Sequence, residues 1–288
     1  MLYDLTKRLA RRVIGRNEVA DKTPSVHTLV VGPYNIAEAL VLPRRHYEFL
    51  RIDVSANCNL FCTYCEIGRS KGMLDPNQLR EFLVKNVASV KNVMFGCAME
   101  PTINKDLASY IQIARELVDP QGYLGIQSNG TLLHRHDYSR FLGAGLNTFS
   151  LSLDSMRPES MLKLRDGTDL KKVLENLDAL RAAIPGLSVL LSVVITTGNI
   201  DQVHEVVEYA IQSGVKEVWL RQLTFQYEAV TPERAALVIS DADFERLKVR
   251  LEPYRSKIPM WFLDSKQLMD TDQSYAEAIA TPEPATAS

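Results

Sequence analysis

The sequence predicts an α/β chain built on an open, curved parallel sheet, and three observations carry that prediction. From residue 49 onward, short β-branched or apolar runs alternate with stretches of helical periodicity. The helical stretches are punctuated by capping residues and glycine stops. The residues with chemical character fall just after the strand runs, where parallel α/β sheets keep their functional loops.

Six runs read as strands, at residues 49–55, 92–96, 123–128, 148–154, 188–196 and 217–223. Between the first two, Asp75-Pro76 offers an N-cap followed by proline at the first helical position. Leu79, Phe82, Leu83, Val87 and Val90 then continue one apolar face. A later helix uses Leu170, Val173, Leu174, Leu177 and Leu180. Another uses Val203, Val206, Val207, Ala210 and Ile211 before Gly214 stops it. Six such units are too few to close an eight-stranded barrel, so the sheet is expected to stay open. Residues 258–263 could add a short strand or cover one mouth of the sheet.

Three regions follow from this pattern: a lead-in at 1–48, a core at 49–253, and a cover with a tail at 254–288. Within the lead-in, residues 2–16 read as a basic amphipathic helix, with Leu2, Leu5, Leu9 and Val13 on one face and five basic residues around them. Its ordinary role is packing with a solvated basic face; contact with a membrane surface is the lesser expectation. Gly32-Pro33 and Pro43 suggest loops, and 281–288 reads as a disordered tail.

Composition narrows the function classes. A chain of 288 residues with a formal charge of −2 has no overall field to attract nucleic acid or anionic lipid. No apolar run is long enough to cross a bilayer and no secretory signal opens the chain, so a cytoplasmic location is expected. There the four cysteines, Cys58, Cys62, Cys65 and Cys97, point to metal or redox chemistry rather than disulfides.

Cys58, Cys62 and Cys65 crowd into eight residues directly after the first strand run. Four-iron clusters are normally closed by four thiolates, so three leave one iron open to a ligand that reacts. Other readings stand beside this one. Cys62 and Cys65 have the spacing of a redox pair, and all four cysteines could hold a structural zinc in a non-catalytic module. Cys97 by itself is expected to pack as a small buried side chain.

With its Cys-x3-Cys-x2-Cys motif after the first strand, the chain resembles the radical S-adenosylmethionine (SAM) enzymes over roughly residues 49–225. The resemblance implies a partial (β/α)6 barrel. It implies a [4Fe–4S] cluster on Cys58, Cys62 and Cys65 and SAM chelated at the open iron. It also implies reductive cleavage of SAM to methionine and a 5′-deoxyadenosyl radical.

The loop 96–101, Gly96-Cys-Ala-Met-Glu100-Pro, looks like the family's Gly-Gly-Glu-Pro loop, with extra residues before Glu100. By that likeness, Gly96 and Glu100 would receive the methionine ammonium. Ser152-Leu153-Asp154 followed by Arg165 is similar to a family pattern in which the hydroxyl and the guanidinium hold the ribose or carboxylate end. Ser128, Asn129 and Ile195, with Thr196 and Asn199, match positions lining the adenine and ribose pocket. Tyr64 matches an aromatic that packs on adenine.

Without the resemblance, each residue has a plainer reading. Glu100 would be a solvated loop acid, Arg165 a surface charge, and Ser128-Asn129-Gly130 a turn. His134, His136 and His204 are expected on the surface, and Trp219 in the core or filling the barrel.

No cysteine follows Cys97 in this sequence, which leads to the expectation of a single cluster with no auxiliary one. The substrate is expected to be a small molecule such as a sugar, a nucleoside or a natural-product intermediate. Peptide modification and radical addition are the alternatives. Residues 221–227 and the neighbourhood of Trp261 are the candidate substrate contacts. An electron donor such as a flavodoxin or ferredoxin is implied as a partner.

Overall fold

Strand runs such as Ser188–Ile195, apolar on both faces, belong in a parallel sheet covered by helices. A computed structural model of the protein describes residues 28–42, 44–225 and 230–264 and shows that arrangement. Its main sheet has eight strands in sequence order, all parallel: β1 (Thr28–Val31), β2 (Arg45–Ile52), β3 (Val87–Phe95), β4 (Leu124–Ser128), β5 (Thr148–Ser152), β6 (Ser188–Ile195), β7 (Glu217–Gln222) and β8 (Met260–Leu263). The two outermost strands do not pair with each other, so the sheet curls without closing.

The sheet therefore extends past both ends of the stretch 49–253, with two strands more than the six read from sequence. β1 lies in the segment expected to be loop. Its Leu29 and Val31 are fully buried, and its backbone pairs with 49–52 of β2. At the other edge β8 pairs with β7, in the stretch where a short strand was one of two expectations. The basic stretch 2–16, the tail 281–288, and Gln226 and Tyr227 lie outside the described residues.

The main helices, α1 (Pro76–Asn86), α2 (Leu107–Arg115), α3 (Tyr138–Gly143), α4 (Pro158–Leu164), α5 (Leu170–Ala183), α6 (Val203–Gln212) and α7 (Asp241–Leu251), connect or follow the strands. Asp75 caps α1 as expected, accepting from Asn77 N at 2.7 Å. That helix ends at Asn86, however. Val87 and Val90, which continue its apolar spacing, are buried in β3 instead, where pairing with β2 along most of its length overrides the helical period. Gly214, with φ of +67°, follows α6 in the left-handed conformation that a glycine stop supplies. The core runs between sheet and helices. Its fully buried members include Phe82, Phe95, Phe141 and Phe149, each worth about 1.5–3 kcal/mol by removal from water.

Candidate active site

Loops leaving the C-terminal ends of the strands surround one cavity of about 340 Å3. Cys58, Cys62 and Cys65 line it from the loop after β2, and all three are half-buried free thiols. That loop is stitched at several points. Cys58 N donates to Asn57 Oδ1 at 2.9 Å, and Cys65 N to Cys62 O at 3.1 Å. Residues Phe61–Cys62 pair antiparallel with Arg165–Asp166, and Thr63 N donates to Leu164 O at 3.0 Å. The cysteine loop thus docks on the end of α4, about a hundred residues away in sequence. Burial pushes the Cys58 thiol up and the Cys62 thiol up to about 11.

The second wall is the loop after β3. Gly96 there has φ of +88°, and a Cβ would stand 2.3 Å from the Gln127 carbonyl oxygen, so only glycine fits. The residues between Gly96 and Glu100 are organised by Asp53, which is buried. Its Oδ1 accepts from Cys97 N at 2.7 Å, Ala98 N at 3.3 Å and Met99 N at 3.4 Å, while Tyr34 OH donates to its Oδ2 at 2.6 Å. Three successive N–H groups converging on one carboxylate fix the loop's path.

Glu100 is buried rather than solvated. Its Oε1 accepts from Thr102 N at 3.0 Å, from the Thr102 hydroxyl, and from Ser128 Oγ at 2.8 Å; its Oε2 accepts from Asn129 N at 2.9 Å. Burial raises its carboxyl pKa and these donors oppose the rise. Glu100 therefore ties the loop after β3 to the one after β4, with acceptor capacity left on Oε2. Ser128, Asn129 and Gly130 do form a turn, closed by Gly130 N donating to Ser128 Oγ at 3.0 Å. Ser128 and Asn129 also line the cavity. Asn129 Nδ2 reaches Asn59 Oδ1 at 3.0 Å and lies 4.0 Å from Cys58 Sγ.

The third wall is centred on Asp154, the last residue of the Ser152-Leu153-Asp154 pattern. Fully buried, it accepts Arg165 Nε at 2.7 Å and Nη2 at 3.2 Å, Tyr64 OH at 2.5 Å and Val194 N at 2.9 Å. Burial works against the Arg165 charge, yet the Asp154 carboxylate holds its pKa well above the ordinary value. The guanidinium lies 5.6 Å from the Tyr64 ring centroid. Burial likewise raises the Tyr64 hydroxyl. Arg165 is thus no surface charge, and with Tyr64 and Ser152 it lines the cavity.

Ile195 does not. Alternation along β6 puts Ser192 and Val194 on the cavity side, and Ile195 is fully buried in the apolar core. Thr196 and Asn199 serve the backbone: Asn199 Oδ1 accepts from Thr196 N at 2.8 Å and its Nδ2 donates to Asp154 O at 2.8 Å. Cys97 is half-buried and faces the cavity instead of packing away in the core. His134 and His204 are exposed as expected, but His136 is half-buried, 2.9 Å from Thr102 O and stacked on Phe141. Of the expected substrate contacts, Arg221, Gln222, Leu223 and Thr224 line the cavity. Asp53 and Arg51 are not among the residues singled out from sequence. Their signal is a charge within the apolar strand run 49–55.

Among the described residues, no three His, Cys, Asp or Glu side chains gather closely enough for a single metal ion. A cubic cluster spaces its thiolates more widely. Three thiols facing a roomy cavity from one loop fit such a group. No helix among the described residues is long and apolar enough to cross a membrane.

A family model described as the radical SAM superfamily matches residues 52–210, more than half of the chain. Similar curated proteins include a probable GTP 3′,8-cyclase of Sulfurisphaera tokodaii, 28% identical over 82% of this chain and 75% of that protein. The GTP 3′,8-cyclase of Hydrogenovibrio crunogenus is 30% identical over 62% and 56%. Among solved structures, Streptococcus suis SuiB bound to S-adenosylmethionine has a TM-score of 0.58 at 19% identity, covering 78% of this chain and 51% of that one. The peptidic complex of anSMEcpe with bound AdoMet has a TM-score of 0.59 at 19% identity, covering 74% and 62%. This chain therefore spans between half and three quarters of these four proteins, and the structural likeness establishes the shared fold.

Proposed function

The chain belongs to the radical SAM superfamily of enzymes, and from that we propose that Cys58, Cys62 and Cys65 hold a [4Fe–4S] cluster at which SAM is cleaved to start hydrogen abstraction from a small-molecule substrate. The observation that carries the reading is the convergence of three thiols, a buried arginine and the Glu100 loop on one cavity. When bound, the cluster supplies the electron that breaks the sulfonium bond of SAM, leaving methionine and a 5′-deoxyadenosyl radical.

The chain's own residues bind and orient. Glu100, with acceptor capacity on Oε2, receives the ammonium of the methionine end, and the fixed backbone at Gly96 borders it. Arg165 spends two N–H groups on Asp154 and keeps others for a carboxylate. Ser152, Ser128 and Asn129 offer hydroxyl and amide groups to the ribose, and Tyr64 offers an aromatic wall to adenine. The similarity to GTP 3′,8-cyclases favours a small molecule over a peptide as substrate. A low-potential protein donor supplies the electron.

Anaerobic reconstitution with iron and sulfide should give a brown protein holding close to four irons, and the EPR signal of its reduced form should change on adding SAM. Cys62→Ala should lose both the iron and 5′-deoxyadenosine formation. A colourless wild-type protein that retains zinc, or unchanged turnover in Cys62→Ala, overturns the proposal.

A further inference from the structure

Toward the N-terminal ends of the strands the cavity narrows into a second pocket of about 30 Å3, and Gln127, Ser192 and Arg221 line both, so the two are continuous. Its walls include Arg51 from β2 and Arg221 from β7, with Trp219 beside them. Among the described residues neither arginine makes an ion pair. Arg221 Nε is buried without a hydrogen-bond partner. The Arg51 guanidinium reaches only the Cys97 sulfur, at 4.0 Å, and lies over the Phe49 ring at 5.5 Å; that of Arg221 lies over Trp219 at 5.8 Å. Burial and the nearby Arg51 charge push Arg221 down to about 10, as two cations do when no carboxylate stands between them.

Two half-buried guanidiniums that have no counter-charge among the described residues repel each other, and an anion between them would relieve that repulsion. We infer that this floor receives a carboxylate of the substrate, gripped between Arg51 and Arg221. The inference rests on the cavity being the substrate site proposed above, and it goes further by naming the group recognised.

Charge and two-point geometry favour a single carboxylate. The floor pocket is small and shares Gln127, Ser192 and Arg221 with the larger cavity, so one terminal group of a substrate reaches it from there. Guanidinium forks match a carboxylate in two-point contact. A nucleoside triphosphate would bring a longer and more highly charged chain to two cations in a cavity that Glu66 and Glu100 also line.

The test is calorimetric titration of the reconstituted, SAM-loaded full chain with acetate, inorganic phosphate and GTP in turn. Acetate should bind in the millimolar range, with Kd rising tenfold or more in Arg51→Gln and in Arg221→Gln, and part of the loss recovered in Arg221→Lys. Phosphate and GTP should bind more weakly than acetate. Equal acetate affinity in wild type and both glutamine variants overturns the inference, as does tighter arginine-dependent binding of phosphate or GTP. Should the glutamine variants fail to fold, the wild-type protein decides: acetate should raise its Tm above that in chloride at equal ionic strength, and no such difference counts against the floor. Formation of 5′-deoxyadenosine by wild type, assayed separately, shows whether the parent reading stands when this one fails.

Discussion

The same cavity holds arginine in two opposite settings. On its wall, Arg165 is locked to fully buried Asp154 by two hydrogen bonds, with Tyr64 completing the group. On its floor, Arg51 and Arg221 line one pocket, neither has a carboxylate partner among the described residues, and Arg221 Nε is buried without a hydrogen-bond partner. The wall pair is a strut: its charge is answered inside the protein, and it fixes the distance between β5, β6 and the cysteine loop. The floor pair is unanswered, so its charge is available to something that comes and goes. Arg165 is buried and Arg51 and Arg221 are half-buried, and the counter-ion is the sharper difference between the two settings.

Breaking the wall should have the largest effect. Asp154→Ala strands the buried Arg165 charge and should cost about 3–5 kcal/mol in urea unfolding, with most of it regained in the double variant Asp154→Ala with Arg165→Met. A recovery near zero would show that the pair is not a unit. Next, Glu100→Ala probes a buried charge satisfied by neutral donors. It leaves the N–H groups of Asn129 and Thr102 without acceptors and should cost about 1–3 kcal/mol by the same measurement.

The floor should answer with the opposite sign. Arg221→Met removes an unpaired cation and should stabilise the fold by about 1 kcal/mol, whereas Arg165→Met destabilises it. Equal losses in both would erase the distinction between strut and receptor. Smallest of all is the surface pair Arg157–Glu205, joined by Arg157 Nε at 2.9 Å and 3.1 Å from the two carboxylate oxygens. Arg157 holds the Glu205 carboxyl below its ordinary range, so any contribution is present at neutral pH and fades as pH falls through that lowered value. Water and salt screen it, and Glu205→Gln should leave Tm unchanged within error at pH 7.

Much of this was legible locally. The cysteine spacing, the cap at Asp75, the stop at Gly214 and six of the eight strands are written in neighbouring residues, where period and residue type act directly. Less legible was β1, because a four-residue run before Gly32-Pro33 reads as loop until β2 offers its edge. The reach of α1 was overread because Val87 and Val90 keep the helical spacing, and only pairing with β2 turns them into strand. Ile195 was placed one residue off, since alternation gives two faces without saying which one looks into the barrel.

By itself, then, the sequence determined the three thiols on one loop after a strand and the alternation that makes a parallel sheet, because both depend on residues within a few positions of each other. Tertiary structure decided which charges meet. Asp154 and Arg165 are brought together by the turn between β5 and α4, Tyr64 reaches them from ninety residues away, and Arg51 and Arg221 approach only because the sheet curls. Charges so distant along the chain are paired or left apart by the curvature and register of the strands, and no local pattern records either.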